Sequence, residues 1–428
     1  MLHTDMSFLY RRLCKVCWRC RAASPLTLTQ RCKTAVVPFV QPEFLRGSPH
    51  RKHPGVTNLK TIILPEELQS AALSVIYKSE VKDLSERARK LTNFLWSRKR
   101  AVERHELRER AIALEKKWKE QERVTDENHV SSDSRIRKKV LSELKRMTYH
   151  WTPLKYDSDL GVVYMAARLA GSYAAVMRAL NEIKKRDSSF TPHSLLDFGS
   201  GLGTALWAAH THWGDSLREY VCVDASAAMN SLAERLLTGD TEGADPLIKH
   251  VYFRQFLPVS PKVQADLVLA AFSLSELSTQ EAREETLLTL WRKTHSYLVL
   301  VENGTKAGHQ ILMEAKDILL KKEEKVSSDV RRLQVFAPSS ESVQEKFSFL
   351  VLSRSELQQS EAVQWSRIVS PVLRRSRHVQ CEICCSNGEL KQLAITAKHH
   401  GRDTYRCARS SDWGDRLPIV QTEKHTEE

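Results

Sequence analysis

From Ser194 onward the hydrophobic period of the chain changes. Apolar runs of strand length, Ser194–Phe198, Tyr220–Val223, Val251–Phe256, Asp266–Phe272 and Tyr297–Glu302, alternate with helical segments near Thr204–His212, Ala227–Leu237, Gln280–Arg292 and Gly308–Lys322. Alternating strands and helices imply crossovers that return each strand in the same direction, hence an α/β doubly wound, mainly parallel sheet. Two more runs, Leu333–Ala337 and Phe347–Ser353, are close enough to form a hairpin at the sheet edge. A chain of 428 residues, 41% hydrophobic and 28% charged, has the length for two or three domains and a sizeable core. That composition excludes a disordered or collagen-like chain. No window approaches 18 uninterrupted apolar residues, so no membrane span is expected.

The chemistry begins where the first of these strands ends. Leu195-Leu196-Asp197-Phe198-Gly199-Ser200-Gly201-Leu202-Gly203 carries apolar strand residues into G-x-G-x-G and then into a helix. Glycine lets the backbone turn sharply and approach a ligand with no Cβ in the way, and the helix start offers free N–H groups. Alone the turn is weak, because dinucleotide folds use a related one, G-x-G-x-x-G. Two acids sharpen it. Asp197 stands two residues before the first glycine, and Asp224 ends the next strand 21 residues after the last. A carboxylate there accepts hydrogen bonds from ribose hydroxyls. The set resembles the S-adenosylmethionine site of class I methyltransferases, which are Rossmann-like. It nominates Asp197, Gly199, Ser200, Gly201, Gly203 and Asp224 as cofactor residues, with Gln255 near the adenine.

After the fourth strand the sequence reads Ala271-Phe272-Ser273-Leu274-Ser275-Glu276. Enzymes that methylate exocyclic base nitrogens carry N/D-P-P-Y/F there to hold the flipped base. Nor is there a motif cysteine of the kind that attacks pyrimidine C5. No catalytic residue is nominated. Ligand binding is supported by the residues and turnover is not, although transfer to a good nucleophile can run on positioning alone.

Positive charges exceed negative ones by 14, a surplus that suits a polyanionic partner. Part of it belongs to a leader. Residues 1–42 hold seven cations against the lone Asp5 and no long apolar block, the pattern of a mitochondrial transit peptide. Cys14, Cys17, Cys20 and Cys32 fall inside this segment and read as cysteines lost with it. Residues 43–58, with Pro49, Pro54 and Gly55, read as an exposed linker. From Pro65 to about Val124 the chain reads as one or two long, partly solvated helices, followed by a basic helix over Arg135–Met147 that could track a phosphate backbone. Leu160–Lys185 forms another strong helix, with Val163, Ala166, Ala170 and Ala174 at helical spacing.

Near the C-terminus, Arg374, Arg375, Arg377 and His378 lead into Cys381-Glu382-Ile383-Cys384-Cys385, and Cys407 follows among Tyr405, Arg406 and Arg409. One C-x-x-C with a later cysteine could make a metal site, but a ribbon with two knuckles is not supported. Interleaved Arg, His, Tyr and Trp suit RNA.

Thr148-Tyr149-His150-Trp151, Val163–Leu169, the glycine turn, Phe253–Lys262, Ala271–Leu277, Trp291–Thr294, Val299–Gly308 and His400–Ala408 carry a more specific likeness. Over these stretches the chain resembles the mitochondrial methyltransferase-like protein 17 family, assembly factors of the small mitoribosomal subunit. The resemblance implies a mitochondrial matrix protein bound to small-subunit rRNA and ribosomal proteins, monomeric outside the ribosome, with an S-adenosylmethionine pocket. It implies binding without turnover, the alternative being an active rRNA methyltransferase. It also implies a [4Fe-4S] cluster on four cysteines, three of them shortly after a Phe-Ala-Pro stretch. Here Phe336-Ala337-Pro338 runs into Ser339-Ser340-Glu341, and that cysteine loop is missing. Only the C-terminal ligand has a counterpart, Cys384, so a replacement site would have to use Cys381, Cys384, Cys385 and Cys407. The expected organisation is a transit peptide over 1–42, a linker over 43–58 and a helical N-terminal domain over 59–190. A methyltransferase domain over 191–355, a basic cysteine-containing extension over 356–420 and a disordered tail over 421–428 complete it.

Overall fold

Burial along the strands divides the central sheet into two faces. Leu195, Leu267, Leu269, Val299 and Val301 face one core; Leu196, Val268, Ala270, Leu298 and Leu300 face the other. This is the period-two signature of a sheet covered on both sides. The structure, a computed structural model, describes residues 53–419 together with 16 and 17, except 54, 58, 60, 98–103, 124–131, 148–152, 261, 323–326, 335–344, 355–364 and 386–389. The transit-peptide and tail segments, and the loop after Pro338, lie outside the described residues.

We number strands from this sheet onward: β1 (Ser194–Phe198), β2 (Glu219–Val223), β3 (Val251–Arg254), β4 (Ala265–Ala271), β5 (Thr294–Asn303), β6 (Ser327–Gln334) and β7 (Lys346–Ser353). Their order is β3-β2-β1-β4-β5-β7-β6. The first five are parallel, while β7 runs antiparallel to both β5 and β6. That order, with the last strand inserted beside the fifth, is the class I methyltransferase fold. Strand order reverses between β1 and β4, and ligands of open α/β sheets bind at such a switch point, beyond the strands' carboxyl ends.

The helices of the N-terminal half are α1 (Glu66–Lys78), α2 (Leu84–Ser97), α3 (Arg104–Arg123), α4 (Ser132–Met147) and α5 (Ser158–Arg186). The continuous charged run is thus three helices, not one or two. One break comes at Ser79, which is extended, and Asp83, at φ 50°. Within the sheet domain follow α6 (Thr204–Trp213), α7 (Ala227–Leu237), α8 (Gln280–Arg292) and α9 (Lys306–Lys322). Buried residues of α5, α6 and α7 join one sheet face, and those of α8 and α9 the other.

The 29-residue α5 is long and apolar enough by composition to cross a membrane, yet most of it is buried within this protein. Small residues explain its fit. A Cβ on Gly161 would lie 2.4 Å from Leu232 Cδ1 of α7. Although α5 falls in the expected helical domain of 59–190, it is a covering layer of the sheet.

The C-terminal region folds into a five-stranded antiparallel sheet of β8 (Ser366–Ile368), β9 (Leu373–Arg374), β10 (Val379–Cys384), β11 (Leu390–Ile395) and β12 (Arg416–Leu417). Two short helices, α10 (Ala397–His400) and α11 (Arg402–Ser410), accompany it. His53 and Gly55–Thr57, expected as part of an exposed linker over 43–58, are bound between this sheet and α5. The His53 ring and Ser411 hydroxyl share a hydrogen bond of 2.9 Å, and Thr57 donates its N–H to Asp415 Oδ1 at 2.9 Å. Arg416 donates its N–H to Gly55 O at 2.8 Å, while Arg178 and Asn181 of α5 donate to Thr57 Oγ1 and O. The sequence reading failed here because prolines and glycines say how a segment bends, not what it lies against.

Candidate functional site

The turn after β1 is fixed by backbone geometry. Gly199, Gly201 and Gly203 have φ of 69°, 52° and 73°, values at which side-chain-bearing residues are strained. Gly199 and Ser200 donate their N–H groups to Val223 O at the end of β2, at 2.7 and 3.1 Å. Gly199 also has no room to grow: its Cβ would stand 2.3 Å from Ser273 Oγ. Ser273 itself donates toward Phe198 O and Ala271 O, at 2.8 and 3.0 Å, which ties the end of β1 to the turn after β4.

Asp224 sits beside this turn with both oxygens engaged. Oδ2 accepts the Gly201 N–H at 2.9 Å and Oδ1 the Ser226 N–H at 2.9 Å. Burial raises its pKa against these two hydrogen bonds, which lower it. Asp197 is fully buried behind the turn, and burial together with the Asp224 charge pushes it up to about 8. Its Oδ2 has no hydrogen-bond partner, nor has the buried Ser200 Oγ.

A cleft of about 840 Å³ opens over these groups. Of the residues nominated from sequence, Gly199, Gly201, Asp224 and Gln255 line it, whereas Asp197, Ser200 and Gly203 shape the turn from behind. The residues fit an adenosine-bearing ligand: open backbone at the glycines and a carboxylate beside them. Sequence reasoning missed Met229, Phe256 and a strap over residues 153–157, all on the cleft wall. Tyr156 of the strap packs edge-on to Tyr164 of α5 at 5.5 Å between centroids, and its hydroxyl is 3.5 Å from Glu276 Oε1. Ser226 Oγ donates to Tyr156 O at 2.7 Å, and Asp157 caps α5 by accepting the Leu160 N–H at 2.8 Å. An aspartate three residues before the helical period that opens at Leu160 was the available signal for that cap.

Below the mouth, Glu302 of β5 is buried and accepts the Ser275 N–H at 3.1 Å, holding the segment Leu274–Glu276 in place. Burial pushes this carboxyl up to about 7.

The four C-terminal cysteines do not form the expected site. Cys381 and Cys384 lie on a regular strand, where positions three apart face opposite sides of the sheet. Cys381 is buried with Val379 and Ile383, while Cys384 is half-buried and its Sγ is 3.7 Å from Cys385 O. Cys407 is buried on α11. Among the described residues no three His, Cys, Asp or Glu side chains gather into a group that could hold a metal ion. Burial pushes the Cys381 and Cys407 thiols up to about 12, the opposite of what a thiolate ligand needs. Cys381, Cys384, Cys385 and Cys407 therefore do not fit a metal or a cluster as arranged here, and the C-x-x-C is strand sequence, not a knuckle.

Comparison with known proteins narrows the kinship of this chain. The human ribosome assembly protein METTL17, mitochondrial, is 47% identical over 405 residues, covering 88% of this chain and 87% of its own. The Rsm22-cox11 tandem protein 2, mitochondrial, of Schizosaccharomyces pombe is 22% identical over 325 residues, 60% of this chain and 43% of its own. Among solved structures, the N-methyltransferase NodS of Bradyrhizobium japonicum, in complex with S-adenosyl-l-homocysteine, matches 44% of this chain at 12% identity and a TM-score of 0.30. The model of the family described as mitochondrial small ribosomal subunit Rsm22 matches residues 158–332 and 325–418, most of the described chain, so this protein belongs to the Rsm22 family.

Proposed function

We propose that this chain is a mitochondrial matrix assembly factor of the small ribosomal subunit that binds small-subunit rRNA and S-adenosylmethionine and acts without methyl transfer. The observation that carries the cofactor reading is the cradle at the switch point. Three glycines at positive φ open the backbone, and Asp224 is held by two N–H groups beside them. The reading without turnover draws on Ser273, whose hydroxyl is already committed to two backbone carbonyls where base methylases place a polar grip. The ribosomal reading draws on the family and on the relative named for ribosome assembly. The exposed cations Arg375, Arg377, Lys398, Arg402 and Arg406 of the C-terminal module supply a surface for rRNA phosphates. No cluster enters this proposal.

Titration calorimetry with S-adenosylmethionine tests the pocket. A Cβ on Gly201 has room, with Met229 Cε at 3.5 Å and Asp224 Oδ2 at 4.0 Å, so Gly201→Arg puts its side chain into the cleft; φ of 52° makes that residue strained, and thermal melting of the variant checks that the fold survives. Binding by the wild type and its loss in Gly201→Arg are expected, with an unchanged modification map of small-subunit rRNA in cells carrying the variant. Equal binding by both would place the pocket elsewhere. A methyl mark that vanished with the variant would establish the alternative, an active rRNA methyltransferase.

A further inference from the structure

The hairpin of α3 and α4 stands apart from the layers described so far. The two helices pack chiefly on each other. Ile136 and Val140 of α4 are buried in the seam, and Lys139 covers the Trp118 ring of α3 at 4.9 Å from its centroid. Six described positions of α4 are exposed. Residues 134–142 read Ser-Arg-Ile-Arg-Lys-Lys-Val-Leu-Ser, with four cations and no acid. Arg135, Arg137 and Lys138 are exposed, and so are Ser134, Leu141 and Ser142. At 100° per residue these six positions occupy one continuous arc opposite the seam. Glu115 of α3, close enough for the Arg137 charge to lower its pKa, is already held by Lys119 at 2.7 Å.

We infer that this outer face of α4 is a contact surface for the phosphate backbone of RNA, separate from the cofactor cleft and from the C-terminal module. The inference rests on the RNA-binding part of the proposed function. Three exposed cations within about 4.5 Å of helix rise, flanked by Ser134 and Ser142, match adjacent phosphates, and among the described residues no acid lies on the arc. A basic amphipathic helix can instead lie on a lipid surface, but that requires a free apolar face. Here the apolar face of α4 is buried against α3, and Leu141 is the single large apolar side chain left on the arc.

The test is filter binding of the full chain to a transcript of the mitochondrial small-subunit rRNA across a range of salt. The variants are Arg135→Glu/Arg137→Glu/Lys138→Glu and the corresponding neutral triple to Gln. If each cation neutralises one phosphate, the log–log salt slope falls by about 2 to 3 in the Gln triple. Affinity at low salt should drop at least about tenfold, and further in the Glu triple. Titration with S-adenosylmethionine and thermal melting should match the wild type, since none of the three residues touches the cleft or the seam. A wild type that binds RNA alongside a Gln triple with the same affinity and slope overturns the assignment of this face while leaving RNA binding intact. A wild type that does not bind the transcript overturns both.

Discussion

Two carboxylates a few ångströms from one glycine turn are an unfavourable arrangement unless one of them gives up its charge. Asp224 keeps two N–H donors, whereas Asp197 is buried with an unpartnered oxygen. Asp197 is accordingly the group pushed up to about 8, by burial first and by Asp224 second. Its contribution to stability follows in sign. The unfolded chain releases this proton near pH 4, the folded chain only near 8, so stability declines as pH rises between them. Glu302, pushed up to about 7 by burial, acts in the same direction. Denaturant titrations at about pH 5 and about pH 8 should show the wild type weaker at the higher value. Asp197→Asn, which carries no charge to bury, should lose less across that interval. An undiminished loss in the variant would mean that Asp197 is ionised in the fold.

At the level of elements, the joint between α5 and the C-terminal sheet depends on buried charge. Arg178 and Glu182, both inaccessible, pair at 2.7 Å, and Glu182 reaches Arg367 of β8 at 3.5 Å. Removing Arg178 leaves Glu182 buried with only its longer contact to Arg367, at a cost of about 3 kcal/mol, the low end for a broken buried pair. Arg178→Ala should lower unfolding stability by that order in urea titration and make the C-terminal sheet the first part released by limited proteolysis. Stability within about 1 kcal/mol of wild type would show that water reaches this joint. None of this was legible in the sequence. The strands and helices of the central sheet were, because alternation of period two and period 3.6 is written locally in residues such as Leu195–Phe198 and Ala227–Leu237. The glycine turn and Asp224 were legible for the same reason. The strap at 153–157, Met229 and the partners of Thr57 were not, since each is set by packing between segments far apart in sequence. Strands of two or three residues, as in β8, β9 and β12, leave too short a pattern to read, and the C-x-x-C of Cys381 and Cys384 masked the strand that runs through it.

On the scale of the whole molecule, the chain is a methyltransferase sheet with additions at both ends, and those additions meet. Gly55 and Thr57, near the start, complete the hydrogen bonding of Asp415 and Arg416, near the finish, and a Cβ on Gly55 would collide with Arg416 O. His53 and Gly55–Thr57 therefore belong to the folded unit although only ten residues separate them from a stretch with the character of an import signal. Maturation after import has a boundary as a result. A protease that cut past Thr57 would strip Ser411, Asp415 and the Arg178 guanidinium of partners inside a closed interface. Terminal sequencing of the protein taken from mitochondria should find its first residue at or before His53. A start beyond Thr57 would mean that the joint is closed by other means. The segment that reads as the most dispensable stretch of the precursor thus sets how far trimming can go before the far end of the chain loses its hold.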